Sequence, residues 1–370
     1  MNNVLLNLNS ALKQKTPFVF YRKPFDNKVH QIIQNNNNVY YLENYNQKGF
    51  VFAPFDNDNN TIIFPLEKST NSKNIFNVEE INNEIPNLNI DNPYKKKHIK
   101  LVEKGIQFIN TNNTPKIVLS RKEEVHLTNI SLIDTYKNLL NSYNTAFVYL
   151  WHHPEIGTWL GATPETLLQT KNNNFKTMAL AGTQGYNNDI NVSWDKKEIQ
   201  EHKFVSDFII EELSKMNIKC NISDVTTVKA GNLLHLHAII SGRLTSLSQI
   251  KELIKALHPT PAVCGLPKEK AKKFILKNEN YNREFYTGFL GELNFEKDNR
   301  QQKTNRRNIE NHAYQYKETH TSLFVNLRCM QVNNNSIYIY VGGGITKDSN
   351  PEKEYLETVA KAQVMKSALK

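Results

Sequence analysis

The stretch VGGGITKDSNPEKEYLETVAKAQVM, residues 341–365, places three successive glycines shortly before a predicted helix. The glycines at 342–344 follow the apolar run IYIYV at 337–341, which is typical of a strand. They predict a turn whose backbone N–H groups can approach a ligand closely, because glycine has no Cβ atom. Ser349 or Asn350 can cap a helix, and Pro351 fits its first turn. We therefore expect a strand, a glycine turn and a helix that runs from about residue 351 to the C-terminus.

Three charged side chains of this predicted helix share one face. Glu354, Glu357 and Lys361 follow one another at spacings of three and four residues, which brings them together on one helical stripe. One interpretation is a solvated helix face, on which a Glu-to-Lys pair contributes about 0.2–0.5 kcal/mol. The other is an inward-facing carboxylate that binds a metal, beside an ammonium group that binds an anion. The stripe alone fits both interpretations, so the choice depends on the rest of the chain.

The composition is that of a basic globular chain. Its 370 residues carry 46 lysines and arginines against 36 acidic residues, which gives a formal charge of +10 and a pI near 9.2. The densest basic cluster contains only Lys95, Lys96, Lys97 and Lys100. A nucleic-acid-binding surface needs a more concentrated patch, whereas a spread positive charge suits a small anionic substrate. We therefore expect a small anionic ligand and no nucleic-acid partner.

The cysteines and the N-terminus favour the cytoplasm. Cys220, Cys264 and Cys329 are scattered, odd in number and without C-x-x-C spacing, so neither a disulfide framework nor a structural zinc site is indicated. The start MNNVLLNLNSALKQK lacks a basic segment followed by a long apolar core. No later run approaches the roughly 18 apolar residues of a membrane span. We therefore expect a cytoplasmic protein without a membrane segment.

The composition of the chain changes near residue 95. Apolar runs between residues 17 and 66, such as PFVFYRK and GFVFAPF, alternate with Asn-rich turns and predict an antiparallel meander. Residues 67–95 are polar and punctuated by Asn and Pro, which predicts a tether. We therefore expect an N-terminal β-rich subdomain with its tether at 1–95 and a main domain at 96–370.

Three ionisable residues stand at or beside apolar strands. Lys116 begins the strand KIVLSRK, Glu165 follows the strand GTWLGA, and Arg328 lies inside the predicted strand SLFVNLRCMQV. A solvated strand end and a surface turn are the alternatives for Lys116 and Glu165. If Glu165 is buried, its pKa is raised, which suits a general acid near neutral pH. A buried Arg328 needs an anion, and its planar fork matches a carboxylate.

Acidic and imidazole side chains mark two further elements. Glu198 and Glu201 lie on the extension of the apolar stripe of a helix predicted from about 194 to 216. They need a cation there if buried, but a frayed, solvated helix start explains them as well. His235 and His237 lie on one face of a predicted strand. No third zinc ligand is evident, so we interpret them as core or substrate-contacting histidines.

Nine segments, in this order, resemble the chorismate-utilising enzymes and, among them, the isochorismate synthases. They are KIVLSR (116–121), LGATPETLL (160–168), LAGT (180–183), KKEIQEH (196–202), HLHAIISG (235–242), LHPTPAVCGLP (257–267), REFYTGFLGE (283–292), NLRC (326–329) and GGGI…EYLETVAK (342–361). The resemblance implies an α+β fold, in which two large, mainly antiparallel β-sheets pack together and are flanked by helices. It also implies that residues 96–370 are the chorismate-binding catalytic domain.

The resemblance implies a role for each candidate residue. Glu201 and Glu357 match carboxylates that bind Mg²⁺, with Glu198 and Glu354 as acidic support. The positions that match substrate-binding residues are Gly182, Thr183, His235, Arg328, Gly342, Gly343, Gly344 and Lys361. Arg328, Lys361 and the glycines would anchor the enolpyruvyl carboxylate of chorismate, and the Mg²⁺ would hold its ring carboxylate.

The implied catalytic pair is Lys116 and Glu165. The lysine would activate a water for attack at C2 of chorismate, and the glutamate would protonate the departing C4 hydroxyl, which gives isochorismate. Anthranilate synthases generally carry glutamine at the position of Lys116, and aminodeoxychorismate synthases often carry lysine at the position of Ala181. Salicylate synthases share the catalytic pair and then eliminate pyruvate, so they are the main alternative. An aminating enzyme and a non-enzymatic binding protein are further alternatives.

The expected cofactor is therefore Mg²⁺, and the expected small-molecule partner is chorismate. We expect a monomer without an amidotransferase subunit, because water and not ammonia is the implied nucleophile. The product would feed the synthesis of menaquinone or of a catecholate siderophore.

Overall fold

The computed structural model describes residues 3–56, 61–79, 94–126, 131–231, 233–298, 317–333 and 336–369. The helices of these residues are α1 Asn3–Gln14, α2 Tyr94–Asn112, α3 Leu132–Ser142, α4 Lys196–Lys215, α5 Gln249–Leu257, α6 Lys268–Asn278 and α7 Pro351–Lys366. None of them is long and apolar enough to cross a membrane.

The strands are distributed over the whole described chain. They are β1 Phe18–Arg22, β2 Lys28–Gln34, β3 Gly49–Ala53, β4 Ile62–Pro65, β5 Ser69–Ile75, β6 Lys116–His126, β7 Phe147–His153, β8 Gly157–Thr163, β9 Thr166–Lys171, β10 Asn174–Gly185, β11 Cys220–Ile222, β12 Thr226–Ala230, β13 Leu233–Arg243, β14 Gly265–Leu266, β15 Phe289–Asp298, β16 Lys317–Val325, β17 Cys329–Asn333 and β18 Ser336–Ile345.

These strands form two nine-stranded sheets. The first sheet has the order β14-β6-β18-β17-β8-β7-β1-β2-β5, and the second has the order β11-β13-β10-β9-β16-β15-β3-β4 with β12 paired to β13. Neighbouring strands run antiparallel, as in the pairs β6 with β18 and β10 with β13. The predicted α+β architecture of two large antiparallel sheets with flanking helices is therefore confirmed.

Aromatic side chains hold the two sheets together face to face. Phe147 of β7 stacks on Phe324 of β16 at 4.2 Å between ring centroids, and Phe64 of β4 stacks on Trp151 of β7 at 5.3 Å. Burying such large apolar rings is the main favourable contribution to folding of a core of this kind. Helices cover the outer faces, and Phe208 of α4 belongs to the cluster that covers the second sheet.

The N-terminal strands do not form the single meander that the sequence predicted. β1 and β2 join the first sheet, where β1 pairs with β7, while β3 and β4 join the second sheet, where β3 pairs with β15. Strands β1, β3 and β4 were recognisable from their local patterns, whereas β2 was not predicted. The sheet that each strand joins is determined by strands far along the chain. The first part of the predicted tether is wrong, because Ser69–Ile75 form β5 and pair with β2. Residues 80–93 of the tether lie outside the described residues, and the boundary near residue 95 stays a prediction.

Two local predictions also need correction. The glycines at 342–344 do not form a turn, because β18 continues through them to Ile345 and they pair with residues 118–120 of β6. Arg328 does not lie inside a strand. It stands between β16 of the second sheet and β17 of the first, with a left-handed φ of 47°. The chain crosses there from one sheet to the other, and this sharp crossing requires the unusual backbone conformation.

The helix after the glycines begins as expected. α7 starts with Pro351, and the side chain of Asn350 accepts a hydrogen bond from the backbone N–H of Lys353 at 3.1 Å. Asn350, rather than Ser349, is therefore the N-cap.

Candidate active site

A cavity that is partly open to solvent lies where the two sheets and helices α4 and α7 meet. The candidate residues that line it are Glu165, Gly182, Thr183, Glu201, His235, Arg328, Gly342, Gly343, Gly344 and Lys361. Residues that are up to about 196 positions apart in the chain, from 165 to 361, are thus brought to one cavity wall.

Glu165 lies in this wall as a buried carboxylic acid. It occupies the link between β8 and β9, where its backbone carbonyl accepts a hydrogen bond from Val325 N–H at 3.0 Å. Burial raises the pKa of Glu165 to about 8, although the positive charges of Lys116, Lys361 and Arg328 act in the opposite direction. A surface turn is therefore excluded, and the side chain is protonated at neutral pH.

Lys116 is a fully buried lysine and not a solvated strand end. Its Nζ lies 2.7 Å from Oε1 of Glu201, which reaches it from α4. Burial favours the protonated form of Glu201, but the nearby ammonium groups, first that of Lys116, together lower the pKa of Glu201. The frayed-helix interpretation of Glu201 is therefore wrong, because this carboxylate is fixed by a buried ion pair.

Gly344 makes this ion pair possible. A Cβ atom at Gly344 would lie 2.5 Å from Oε1 of Glu201 and 2.8 Å from Cε of Lys116, which is closer than real contacts allow. β17 pairs with β18 only as far as Tyr340, so residues 341–344 face the cavity. Glycine is thus required here for close approach within a strand, not for a turn.

Arg328 and His235 form a hydrogen-bonded pair at the cavity wall. Nη2 of Arg328 lies 2.8 Å from Nε2 of His235, and Nδ1 of His235 lies 2.8 Å from the carbonyl oxygen of Gly182. A guanidinium can only donate, so Nε2 accepts and Nδ1 carries the proton that it donates to Gly182. Burial, together with the charge of Arg328, lowers the pKa of His235 to about 3, which keeps this ring neutral.

The same pair orients the guanidinium of Arg328. Its Nη1 donates to the carbonyl of Ala230 at 2.8 Å, and burial lowers its pKa to about 10, so it stays charged at neutral pH. Thr183 Oγ1 lies 3.5 Å from Nδ1 of His235, at the limit of a hydrogen bond. His235 is therefore a neutral positioning side chain for Arg328, and the arrangement does not favour the zinc alternative for His235 and His237.

Lys361 is the second cation of the wall. Its Nζ donates to the carbonyl of Gly342 at 3.0 Å and lies 2.7 Å from Oε1 of Glu357. Glu354, one turn earlier on α7, is only 2% exposed, and burial together with the charge of Glu357 raises the pKa of Glu354. The helix stripe therefore faces inward, and the solvated-face interpretation is wrong for Glu354.

The four glutamates provide oxygen donors that suit a hard cation such as Mg²⁺. Oε2 of Glu198 is buried without a hydrogen-bond partner among the described residues, as expected for an oxygen that needs a cation. A Cβ atom at Gly343 would lie 3.5 Å from Oε2 of Glu354 and 3.7 Å from Oε1 of Glu357, so both carboxylates flank the same glycine. The donor chemistry therefore fits Mg²⁺.

The carboxylates are nevertheless held apart in this structure. Within the described ranges, no three His, Cys, Asp or Glu side chains stand close enough together to bind a metal ion. Instead, three glutamates are each paired with a lysine at 2.7 Å, in the pairs Lys116–Glu201, Lys197–Glu354 and Lys361–Glu357. A metal ion would have to replace part of this internal positive charge.

Sequence reasoning missed the residue that joins the cavity walls. Arg283 donates to the carbonyls of Val118 at 2.8 Å and Val263 at 2.9 Å and to Oγ1 of Thr287 at 3.2 Å, and all three partners line the cavity. Glu279 pairs with its guanidinium at 2.6 Å. The segments LHPTPAVCGLP and REFYTGFLGE resembled the family but had no assigned role. The contacts of Arg283 with Glu279 and the cavity wall, which we call the clamp, give both segments a structural role.

Comparisons with known proteins identify the relatives of this chain. A family profile described as chorismate binding enzyme matches residues 33–299, and a second profile with the same description matches residues 313–367. Over 290 residues the chain is 30% identical to isochorismate synthase DhbC of Bacillus subtilis, covering 72% of this chain and 66% of that protein. It is 27% identical to isochorismate synthase MenF of Escherichia coli, covering 75% and 61%. The chain thus spans about two thirds or less of these relatives' length.

Solved structures show the same fold. The structure described as a 2,3-dihydroxybenzoate-specific isochorismate synthase of Bacillus anthracis superimposes with a TM-score of 0.73 at 23% identity, covering 97% of this chain and 98% of that one. MenF of Escherichia coli superimposes with the same TM-score of 0.73 at 18% identity, covering 96% and 89%.

Proposed function

Because the chain belongs to the family of chorismate-binding enzymes, we propose that it is an isomerase that converts chorismate to isochorismate. The observation that carries the proposal is Glu165, a buried acid with a pKa of about 8 in the same cavity as the cations Arg328 and Lys361. Chorismate carries two carboxylates and a leaving hydroxyl group. In the cavity, Arg328 and Lys361 offer positive charge to the carboxylates, and Glu165 offers a proton to the hydroxyl group.

The reaction adds one water and releases another. Lys116 first releases the proton of its ammonium group to solvent. The resulting amine accepts a proton from the attacking water as the water oxygen forms its bond to C2, the ring double bonds shift, and the C4–O bond breaks. Glu165 donates its proton to the leaving oxygen, which departs as water. One proton is taken up and one is given, so the protein returns to its starting state by exchanging a proton with solvent.

Substrate orientation depends on the two cationic side chains. Arg328, held by His235 and Ala230, presents its guanidinium to the enolpyruvyl carboxylate, and Lys361 with the edge of β18 contributes a second charged contact. Gly182 and Thr183 line the cavity next to His235. A substrate bound between these groups keeps C4 near Glu165 and C2 near Lys116. The reacting groups are then already in position, which favours the attack of water.

We propose Mg²⁺ as the cofactor, held by Glu201 and Glu357 with Glu198 and Glu354 beside them. When bound, it supplies positive charge that neutralises the ring carboxylate of chorismate. The oxygen donors and the orphaned oxygen of Glu198 support this assignment.

Two positions favour water over ammonia as the nucleophile. Lys116 stands where aminating relatives generally carry glutamine, and Ala181, which lines the cavity, offers no nucleophilic side chain. We therefore propose that the enzyme acts without an amidotransferase subunit. We also propose that it acts in the cytoplasm as a monomer and has no nucleic-acid partner. Its product enters menaquinone or catecholate siderophore synthesis, and the genes beside this one distinguish the two.

The test is product analysis with purified protein. Chorismate and Mg²⁺ are incubated with the enzyme, with and without added ammonia, and the products are separated by chromatography. We expect isochorismate in both arms. Salicylate with pyruvate would show a salicylate synthase, anthranilate in the ammonia arm would show an aminating enzyme, and unchanged chorismate would contradict enzymatic function.

A further inference from the structure

Lys197 is a charged residue of the active site that the proposed mechanism does not use. It lies on α4, one turn before Glu201, and its Nζ is 2.7 Å from Oε1 of Glu354 on α7. The Lys197 side chain is 30% exposed, whereas that of Glu354 is 2% exposed. The ammonium group therefore approaches a buried carboxylate from the solvent side and links two helices that contribute the metal-binding glutamates.

The ammonium group of Lys197 lies close to several carboxylates. The negative charges of Glu354, Glu357 and Glu201 all act on it. Lys116 and Lys361 are also paired with glutamates, but both have work to do on the substrate in the proposed reaction. Lys197 has none, so its contact with Glu354 needs a different explanation.

We propose that Lys197 is the resident counter-ion of the metal site: it neutralises Glu354 while no divalent cation is bound and is displaced when one binds. This inference rests on the proposed function for the identity of the site. A buried carboxylate without a partner is strongly unfavourable, and Lys197 is the cation that accompanies Glu354 in this structure. The partly exposed lysine stem can turn to solvent when a divalent ion takes its place.

Displacement has a consequence for affinity. The divalent cation must displace the Lys197 ammonium group from Glu354 before it can occupy the site between Glu201 and Glu357, and this step weakens its apparent affinity. A positioning role for Lys197 would have the opposite effect. If Lys197 stayed in place and oriented Glu354 for the metal, removing the lysine would weaken metal binding. The sign of the change in metal affinity therefore distinguishes the two roles.

The experiment measures Mn²⁺ binding in the absence of chorismate, by the electron paramagnetic resonance signal of free Mn²⁺. We expect Lys197→Gln to bind Mn²⁺ about tenfold more tightly than the unmodified protein, the size typical of removing one competing charge. Lys196→Gln is the matched control, because Lys196 is the exposed neighbour on the same helix, and its affinity should be unchanged. Unchanged, weaker or undetectable binding by Lys197→Gln would overturn the proposal.

A double-mutant cycle locates the effect. In a Glu354→Gln background the Lys197→Gln substitution should no longer tighten Mn²⁺ binding, since the displaced pair is already absent. A gain that persists in this background would contradict displacement from Glu354. Thermal melting of each variant verifies folding. Chorismate turnover is measured separately, so failure of the proposed reaction and failure of this inference give different results.

Discussion

Glu165 and Lys116 show how burial, rather than residue type, assigns chemical roles in this cavity. Both side chains are ionisable groups that usually face water, yet Glu165 is 4% exposed and Lys116 is fully buried. Desolvation keeps the carboxyl protonated, while the Glu201 carboxylate provides Lys116 with an oppositely charged neighbour. The protonated Glu165 and the Lys116–Glu201 ion pair therefore lie near each other, and the charge of Lys116 acts on Glu165.

The protonation of Glu165 predicts the alkaline limit of activity. A general acid works only while protonated, so kcat/KM for chorismate should fall as pH rises through about 8, the pKa of Glu165 in the folded protein. Glu165→Gln should be at least about a hundredfold slower at neutral pH, since glutamine cannot donate an acidic proton. Initial rates from pH 6 to 10 measure both effects.

The control for this variant is Glu155→Gln. Glu155 is an exposed glutamate in the turn between β7 and β8, and its replacement should leave the rate and the pH profile unchanged. A profile of the unmodified enzyme that stays flat through pH 9, or a Glu165→Gln enzyme at full rate, would remove the acid role.

Lys116 predicts a loss of similar size. Lys116→Ala should lower turnover at least about a hundredfold, because the variant lacks the amine proposed to accept the proton of the attacking water. Lys122→Ala, in the same strand, is the control, since the Lys122 ammonium lies 4.3 Å from the ring of Tyr338, away from the cavity. Rates equal to the unmodified enzyme in Lys116→Ala would contradict the base role. Circular dichroism distinguishes lost chemistry from lost folding.

Single residues were predictable from the sequence where their immediate neighbours determine their state. Glu165 stands among apolar residues, and this pattern indicated burial with a raised pKa as one of two interpretations, which the structure supports over a surface turn. The neutral tautomer of His235, the turn at Arg328 and the ion pair of Lys197 were not predictable. Each depends on a partner that is distant in the chain, such as Glu354, which lies 157 residues from Lys197.

At the scale of elements, β18 shows why the turn predicted at the glycines 342–344 was wrong. Glycine favours turns in general, but here pairing with β6 keeps residues 342–344 extended, and the absent Cβ atoms make room for side chains. The turn prediction used local propensity, which strand pairing overrides. Helices α4 and α7 were predicted correctly within a few residues, because apolar spacing and capping residues are local signals.

This packing predicts the effect of Gly344→Ala. The added methyl group would meet Oε1 of Glu201 at 2.5 Å and Cε of Lys116 at 2.8 Å, so the ion pair must shift. A displacement of that kind in a catalytic pair should lower turnover at least about tenfold. Steady-state kinetics with chorismate measure the change.

Gly185→Ala is the matched control. Gly185 lies at the end of β10, and a Cβ atom there would meet no heavy atom within 4 Å. We expect normal turnover from this variant. Equal rates for Gly344→Ala and Gly185→Ala would show that Lys116 and Glu201 have freedom that the structure does not indicate.

The Arg283–Glu279 pair holds three elements of the cavity wall in place. Arg283→Met leaves the buried Glu279 carboxylate without its cation and frees the carbonyls of Val118 and Val263. Breaking a buried pair in this way should lower the free energy of unfolding by about 3–5 kcal/mol. Urea titration measures it, with Arg243→Met at an exposed position of β13 as control. A loss below about 1 kcal/mol would contradict the structural role of the clamp.

At the scale of the molecule, the two sheets are assembled from strands of both ends of the chain. The α+β class was predictable because nine family-like segments occur in order, and local apolar runs identified β1, β3 and β4. The distribution of those strands between two sheets was not predictable, because it depends on the partners β7 and β15 rather than on local sequence. The boundary near residue 95 reflects a change in composition and gives no information on which strands pair.

This interleaving predicts that residues 94–370 do not fold alone. Without the N-terminal strands, β7 and β15 would lose the partners β1 and β3, and Phe50, Phe52 and Phe64 would leave the core between the sheets. Unpaired edges and exposed aromatic surface favour aggregation. We expect residues 94–370 to be insoluble when expressed alone and to be recovered in soluble form with residues 1–79 supplied as a second chain. A soluble 94–370 chain with a cooperative thermal transition would instead make residue 95 a true domain boundary, and its binding of chorismate would then be independent of the N-terminal strands.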